Sequence, residues 1–373
     1  MARPFFSALL LAGLLVVTLW GIVVMVRNSL AVMERNQIAA ATDTARDQMA
    51  AQPGDGMAQV ASASGRIAFA QQGRIAVARA DGTMPTFLTR GPGDHTPVWS
   101  PDGTRIAFVT AGVAERTGIY VVTIETGEER RVAPAAAVYS RPTWSPDSRR
   151  LVFRDPAKER AGIYVANADG TGITQIFKGN ANTPTWSPDG RWIAFTFNQR
   201  PTTGGLYLTD PDGADPKVLL PGVFSEVSWS PDSSLLAVRG VSWPAGEPAV
   251  VRGIQEAEQV LVVERTSGKA TVLSTEAGGG AWAPAWSPDG TAIALPVGKV
   301  GAQQLVVVPV AGGSPRTLAQ GAHFIQPVWS PDGKELAVSV PAGPNSDALV
   351  LAVRADGSGT RKFAPGELPA WAK

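Results

Sequence analysis

The stretch Trp99-Ser100-Pro101-Asp102-Gly103 decides the fold, because six near-copies of this pentapeptide recur along the chain. The copies begin at Trp99, Trp144, Trp186, Trp229, Trp286 and Trp329. They lie 45, 42, 43, 57 and 43 residues apart. A period of this length indicates a β-propeller, in which each repeat is one four-stranded blade. Ser, Pro, Asp and Gly each favour a turn position, so every tryptophan is followed by a turn.

Four strand patterns recur in a fixed order around each pentapeptide. An Ile-Ala-Phe type strand follows the turn, as at 106–108, and an Ile-Tyr-Val type strand follows it, as at 119–121. A glycine-containing turn, a more polar strand and the next tryptophan strand complete the repeat. The first three patterns occur seven times, and Trp371 ends a seventh tryptophan strand.

The chain thus starts with the second strand of a blade and ends with the first strand of one. We expect these strands to belong to the same blade, which closes the ring and leaves no long exposed edges. The sequence therefore predicts an all-β, seven-bladed propeller of four-stranded antiparallel blades over residues 64–373, closed by the C-terminal strand. A six-bladed ring is the alternative.

Particular positions of the repeat carry their own expectations. Each tryptophan precedes its turn and is placed to wedge between neighbouring sheets, which makes Trp371 and its six counterparts structural residues. Ser148 and Ser233 replace the glycine at the fifth position. We expect these two turns to be strained or differently shaped, because glycine is the residue that closes such a turn without steric cost.

The N-terminal segment 5–26 is free of charged residues, after a short tail of residues 1–4. As a helix its 22 residues would extend about 33 Å, enough to cross a hydrocarbon core of about 30 Å. We expect an uncleaved transmembrane anchor followed by a helical stalk and linker over residues 27–63. A signal peptide cleaved after Ala31 is the alternative. The short tail favours an N-terminus inside, with the propeller on the extracytoplasmic side of the cytoplasmic membrane.

Composition excludes several classes of function. The 373 residues include no cysteine, which excludes disulfides, thiolate metal sites and cysteine nucleophiles. The formal net charge is only +1 and no basic run is present, so nucleic acid is not an expected partner. We expect no cofactor and no metal.

The repeat resembles the TolB-type, WD-like β-propeller family. The resemblance rests on the form Pro-x-Trp-Ser-Pro-Asp-Gly-x-x-Ile-Ala-Phe, followed by Ile-Tyr-Val and Asp-Gly turns, and covers roughly residues 65–373. The same repeat is found in the propeller domains of prolyl oligopeptidase-like proteins. The resemblance implies the fold, whereas propellers host many unrelated activities.

Recognisable catalytic motifs are missing from the sequence. The peptidase relatives carry their catalytic triad in a separate hydrolase domain, and no Gly-x-Ser-x-Gly motif occurs here. Some related propellers act as metal-dependent lyases through several pore histidines, but this chain has only His95 and His323. We interpret the protein as a binding or scaffolding propeller that recognises a protein, peptide or glycan partner. A pore-face hydrolase or lyase is the alternative.

Residues just upstream of the tryptophans vary while the framework repeats, and they define a candidate recognition surface around the pore mouth. The candidates are His95, Tyr139, Arg141, Phe224, Glu226, Trp282, His323, Phe324 and Gln326. Trp243 joins them, since the long Trp229–Trp286 step places a loop over residues 241–256 on the same face. We expect partners to bind this face, with Trp243 and Trp282 as anchors. The alternative is that the aromatics only cover the ring and the charges are solvated.

Overall fold

The computed structural model describes residues 65–112, 115–134, 141–198, 204–242, 258–274, 284–321, 323–341 and 348–372. Within these ranges all regular structure is β-strand. A search of the same residues finds no helix long and apolar enough to cross a membrane. The anchor and stalk predicted over residues 5–63, and the candidate residues Tyr139, Trp243 and Trp282, lie outside the described residues.

The strands are short and are listed here in chain order. The first fourteen are β1 (Arg66–Gln71), β2 (Arg74–Arg79), β3 (Thr86–Phe87), β4 (Asp94–Trp99), β5 (Arg105–Thr110), β6 (Gly118–Thr123), β7 (Glu129–Ala133), β8 (Thr143–Trp144), β9 (Arg150–Asp155), β10 (Gly162–Asn167), β11 (Thr174–Lys178), β12 (Ala181–Trp186), β13 (Ile193–Phe197) and β14 (Gly205–Thr209). The others are β15 (Lys217–Trp229), β16 (Leu235–Ser242), β17 (Gln259–Glu264), β18 (Ala270–Ser274), β19 (Ala285–Trp286), β20 (Ala292–Val297), β21 (Gln303–Pro309), β22 (Arg316–Gly321), β23 (Ile325–Trp329), β24 (Glu335–Val340), β25 (Leu349–Arg354), β26 (Thr360–Pro365) and β27 (Glu367–Trp371).

These strands form five four-stranded sheets and one seven-stranded sheet, all antiparallel. The seven-stranded sheet contains two four-stranded units that share β15. The beginning of this strand pairs with β14 as an outer strand, and its end pairs with β16 as an innermost strand. The multiple four-stranded sheets are those of a propeller.

The two ends of the chain meet in one sheet. The strand order there is β27-β1-β2-β3, and Ala370 of β27 lies opposite Ala68 of β1. This is the pairing that the sequence predicted. The innermost strands contact one another in the cyclic order β27, β4, β8, β12, β15, β19, β23 and back to β27.

The hydrophobic core lies between adjacent sheets, where the tryptophans pack as wedges. Trp99, for example, packs in one cluster with Ala68 and Ile75 of the preceding sheet and with Ile106 of its own. The exposed fractions of Trp99 and Trp144 are 6% and 4%. Both rings are therefore buried, and Trp99 packs between its own sheet and the preceding one.

Five of the seven wedge tryptophans also form a hydrogen bond between units. The Trp144 indole Nε1 donates to the carbonyl oxygen of Val98, the residue just before the tryptophan of the preceding unit, at 3.0 Å. The indoles of Trp99, Trp229, Trp286 and Trp329 donate to the equivalent carbonyls of Ala370, Thr185, Ser228 and Ala285. Among the described residues, Trp186 and Trp371 have a buried indole N–H without a partner.

The turn after each tryptophan is held by its own side chains. In all six turns the serine hydroxyl donates to the aspartate Oδ1 at 2.5–2.7 Å. Partial burial raises the pKa of Asp102, but hydrogen bonds from Ser100 and Thr104 outweigh it and lower the pKa to about 2. The repeated aspartate thus has a structural role, since it accepts hydrogen bonds within its own turn.

The serines at the fifth turn position adopt the strained backbone that the sequence predicted. Ser148 and Ser233 have φ values of 61° and 63°. Each hydroxyl accepts a hydrogen bond at 3.0 Å from a backbone N–H in the preceding turn, that of Asp102 or Asp189. The strain of a left-handed serine is therefore offset by a bond between neighbouring units.

Candidate binding face around the central channel

Two faces of the ring are distinguished by their connections. The turn face carries the Ser-Pro-Asp turns between the first and second strands of each unit. The channel face carries the connections between the second and third strands, including Gln72 and Glu159, and the starts of the innermost strands. The candidate residues upstream of each tryptophan belong to the channel face, because they begin the innermost strands.

A β-bulge recurs at the start of these innermost strands. The register shifts between His95 and Val98 in β4, and equivalent shifts occur in β12 and β23. The residue three before the tryptophan has a positive φ at Thr96, Thr183, Gln326 and Leu368. Because bulges re-aim side chains, this position is the one turned out of the regular pleat toward the channel.

Arg141 and Gln326 occupy this position in two units that are not neighbours, yet their side chains meet. With the Gln326 amide oriented to satisfy both partners, Arg141 Nη1 donates to Gln326 Oε1 at 2.9 Å. Gln326 is only 4% exposed. Arg141 as a whole residue is exposed to solvent, whereas protein atoms surround its guanidinium group.

Glu226 brings a carboxyl group to the same place. It occupies the equivalent position of β15 and lies opposite Arg239 in the β15–β16 register. Arg239 is buried, and its Nη2 and Nε lie 2.6 and 2.7 Å from Oε2 of Glu258. The Glu226 carboxyl group therefore lies within electrostatic reach of both Arg141 and Arg239, and Arg239 is in turn paired with Glu258.

Burial perturbs the ionisation of the central pair. Burial raises the pKa of Glu226 to about 8, against the opposing influence of Arg141 and Arg239. Burial also lowers the pKa of Arg141 to about 10, against the charge of Glu226. At neutral pH Arg141 is therefore charged while Glu226 is largely protonated. The pair offers hydrogen-bond donors to an incoming anionic or carbonyl group.

The two histidines of the candidate set are half-buried on this face. His95 Nδ1 lies 2.7 Å from the Thr96 hydroxyl. Burial lowers the pKa of His95, with Asp94 opposing, and burial lowers the pKa of His323. Both rings are thus neutral at neutral pH. Within the described ranges, no three His, Asp or Glu side chains cluster as metal ligands.

Phe224 and Phe324 have a different role from the one that the sequence suggested. Both rings are 0% exposed and belong to the hydrophobic core. The Asn198 amide bonds the backbone N–H and carbonyl of Phe224, and Gln303 Oε1 accepts from the Phe324 N–H. We therefore assign these two residues to packing beneath the face, the alternative that the sequence left open.

Sequence reasoning missed Arg239 and Glu258, which complete the charged cluster. Arg239 directly follows the apolar strand residues 236–238, where a buried charge is unexpected in a core strand. A charged residue at that position was the sequence signal that could have identified Arg239 as a candidate. Glu258 follows residues outside the described range, and nothing in its local pattern distinguishes it.

Comparison with known proteins identifies the repeat. A sequence profile described as the TolB beta propeller domain matches residues 57–243. The Tol-Pal system protein TolB of Alcanivorax borkumensis is 35% identical over 81 residues, which cover 21% of this chain and 19% of that protein. TolB of Methylococcus capsulatus is 40% identical over 65 residues, covering 17% and 15%. The chain thus matches about a fifth or less of the length of these curated relatives.

Solved structures share the fold at low identity. TolB from Acinetobacter baumannii has a TM-score of 0.52 and 18% identity, covering 83% of this chain and 67% of that one. An oligogalacturonate lyase in complex with manganese has a TM-score of 0.59 and 17% identity, covering 75% and 82%. These likenesses concern the fold alone, since one fold hosts unrelated chemistries.

Proposed function

The chain belongs to the TolB beta propeller domain family, and from this premise we propose that it is a binding and scaffolding propeller for a protein or peptide partner. We propose further that the ring has seven blades, as the cyclic order of seven innermost strands supports. The curated relatives are named as proteins of the Tol-Pal system. That naming supports a role in a protein assembly, such as an accessory subunit of a membrane complex.

The observation that carries this proposal is the convergence of Arg141, Glu226 and Gln326 in the channel. The three residues come from three different units and lie up to 185 positions apart in the sequence. Desolvating a guanidinium and a carboxyl group is unfavourable for folding. Ionisable groups held in such an environment are therefore more frequent at functional sites than elsewhere in a protein. A charged donor group at a channel mouth suits recognition of an acidic or carbonyl group on a partner.

We propose that the protein is attached to the cytoplasmic membrane by residues 5–26, with the propeller on the extracytoplasmic side. The entry point of the chain supports a free channel face. The Gly65 carbonyl accepts from Ala80 N–H, and Arg66 Nη2 donates to the carbonyl of Gly103 in a turn of the turn face. Gly65, the first described residue, therefore lies on the turn face, opposite the proposed site.

The test is capture of the partner by crosslinking in native membranes, comparing the wild type with Arg141→Gln. We expect Arg141→Gln to reduce capture about tenfold or more, because a charge-assisted hydrogen bond contributes about 1.5–3 kcal/mol. The matched control is Arg130→Gln, which removes an exposed arginine paired with Glu128. Arg141→Lys keeps the charge and should restore part of the capture. Equal capture by Arg141→Gln and the wild type, at equal melting temperature, would exclude the channel as the site.

Trp243 and Trp282 remain our proposed anchors on the same face. Large rigid aromatics supply much of the energy of such contacts. Replacing both by alanine should weaken capture and leave the melting temperature nearly unchanged. Unchanged capture, or a large loss of stability, would make them packing residues instead.

We propose binding rather than catalysis as the activity. The alternative, a hydrolase or lyase at the pore, is separable by metal analysis of the purified protein and by chelation. Partner capture that survives chelator, from protein without bound metal, agrees with binding. Stoichiometric metal together with a chelator-sensitive activity would support the enzyme instead.

A further inference from the structure

A cavity of about 460 Å³ opens at the seam where the two ends of the chain meet on the channel face. Its walls come from the β1–β2 hairpin, the start of β4 and the connection between β26 and β27. The side chains around it include Gln71, Gln72, His95 and Glu367. We name it the seam cavity. Because its walls belong to both ends of the chain, it is complete only when β27 is paired with β1.

The seam cavity has an uncompensated carboxylate. Glu367 is exposed at its edge, and none of the ion pairs among the described residues involves it. Since it is the first residue of β27, its backbone is fixed by the sheet. A carboxylate on a rigid element, next to a cavity, is a suitable acceptor for a cation.

The wall behind this carboxylate adds negative charge. Asp94 is fully buried and accepts from Gly91 N–H and the Thr110 hydroxyl. Arg116 Nη2 lies 3.5 Å from Asp94 Oδ1 and 2.8 Å from Glu129 Oε2. One guanidinium is thus shared by two carboxylates, which leaves this network with a net negative charge.

Arg74, which directly follows the cavity-lining Gly73, carries a positive charge that offsets part of this negative charge from a distance. The guanidinium of Arg74 stacks over the Phe87 ring at 4.0 Å, and its Nε donates to the Thr89 carbonyl. It is therefore engaged with the outer part of its own sheet. His95, whose pKa burial lowers, adds no positive charge at neutral pH.

We propose that the seam cavity binds a basic side chain, a lysine or arginine, presented by an extended segment of the partner. This inference rests on the proposed binding function and adds a second, oppositely charged subsite beside Arg141. The cavity is in the size range of pockets that hold small ligands. Glu367 would accept charge-assisted hydrogen bonds from the ammonium or guanidinium group, and Gln71 offers an amide beside it.

The location has a thermodynamic consequence for the ring. A ligand that binds only the closed form stabilises that form by mass action. Occupancy of the seam cavity therefore stabilises the pairing of β27 with β1. The partner would bind and reinforce the ring at the same time.

The probe is trilysine capped at both ends, with capped triglutamate as its matched control, at low ionic strength. At a concentration about ten times its Kd, trilysine should raise the melting temperature by about 2 °C, and triglutamate should not. Glu367→Gln should remove the shift. Glu128→Gln, which removes an exposed carboxylate on the turn face, should retain it. Backbone amides of β27 should exchange hydrogen more slowly with trilysine bound.

Several results would overturn the inference. These are no shift with trilysine, an equal shift with triglutamate, or a shift that persists in Glu367→Gln. Failure here is distinguishable from failure of the proposed function. If partner capture still depends on Arg141 while trilysine has no effect, only the seam subsite is lost. If trilysine binds as expected but the partner contacts the turn face, the proposed function is wrong and the cavity remains a cation site.

Discussion

At the scale of single residues, Arg141 and Glu226 of the channel show how the location of a side chain shifts its pKa from the ordinary value. Surrounding protein atoms shift the pKa of each group toward its neutral form, although Arg141 as a residue stays exposed to solvent. Glu226 moves far enough to titrate near neutral pH, whereas Arg141 stays charged. The net charge of the channel therefore becomes more negative as the pH rises through about 8, where Glu226 ionises.

The raised pKa of Glu226 predicts a definite pH dependence of stability. Its pKa of about 8 in the folded protein lies above the ordinary value of 4.5 for a glutamate side chain. Between these values the folded protein retains a proton that the unfolded chain has lost, so stability falls as pH rises through this window. Glu226→Gln removes this term. We expect the variant to match the wild type to within about 0.5 kcal/mol near pH 4.5 and to exceed it by on the order of 4 kcal/mol at pH 8.

Denaturant unfolding at several pH values between 4.5 and 9 checks this expectation. Glu128→Gln is the control, because the Glu128 side chain is 63% exposed. Its profile should run parallel to the wild type. A Glu226→Gln profile that also runs parallel would mean that the carboxyl group is ionised and hydrated in the folded protein.

The serines at the fifth turn position show what a sequence reveals at this scale. Replacement of glycine is visible at Ser148 and Ser233, and so is the resulting backbone strain. The compensating bond is not visible, because its partners are turns 46 and 44 residues away.

The same limit hid the roles of Phe224 and Phe324. Their position just upstream of the tryptophans suggested a surface, whereas the apolar clusters that bury their rings combine residues from strands far apart in the sequence.

At the scale of elements, the repeated tryptophan strand is the unit of cohesion between sheets. Its indole packs on the preceding sheet and, in five described units, donates to that sheet's innermost strand. Arg66, Arg105 and Arg150 add cation–π contacts with Trp99, Trp144 and Trp186 of the next unit. Neighbouring sheets are therefore joined by the same contacts again and again.

The chain offers an internal comparison for the energy of this bond. Trp144 and Trp186 are both 4% exposed, but only Trp144 has a partner for its indole N–H. Replacing either by phenylalanine removes similar area. We expect Trp144→Phe to cost about 1 kcal/mol more than Trp186→Phe, the net value of one buried hydrogen bond.

Urea unfolding of the two variants measures this difference directly. Unchanged m-values would confirm that the unfolded state is the same in both. Equal losses of stability would show that the indole bond contributes nothing, and that cohesion between sheets is a matter of packing alone.

Element positions were largely predictable, because the hydrophobic patterns and turn residues repeat. The described strands fall where the Ile-Ala-Phe, Ile-Tyr-Val and tryptophan patterns predict them. The continuous β15 was not predicted, since it joins an outer strand to the next innermost strand without a turn signal. The bulges that aim residues such as Gln326 into the channel were also not predictable, because they depend on the register with a neighbouring strand.

At the scale of the whole molecule, ring closure depends on the C-terminal strand. Deleting residues 369–373 removes the buried Trp371 and the Ala370 carbonyl that accepts from Trp99. We expect a loss of several kcal/mol in unfolding free energy, since a buried tryptophan alone contributes about 3–5 kcal/mol. Thermal and denaturant unfolding measure the loss. A truncated protein as stable as the full chain would favour a six-bladed ring with free ends.

The absence of cysteine allows closure to be trapped chemically. Ala68 and Ala370 are paired in the β1–β27 register, at the spacing that a disulfide requires. The double variant Ala68→Cys/Ala370→Cys should oxidise to an internal crosslink. Ala68→Cys/Pro369→Cys is the control, because adjacent strand residues point to opposite faces and should not crosslink. Crosslinking of both pairs, or of neither, would contradict the register.

The central claim is that partners contact the channel face, and a comparison of the two faces tests it most directly. A photo-crosslinking residue is placed at Gln72 or Glu159 on the channel face, and at Glu128 or Asp212 on the turn face, all four being exposed. The protein is then irradiated in native membranes and the adducts are identified. We predict one partner crosslinked from both channel-face positions and from neither turn-face position. Adducts from the turn face alone, or equally from both faces, would contradict the account.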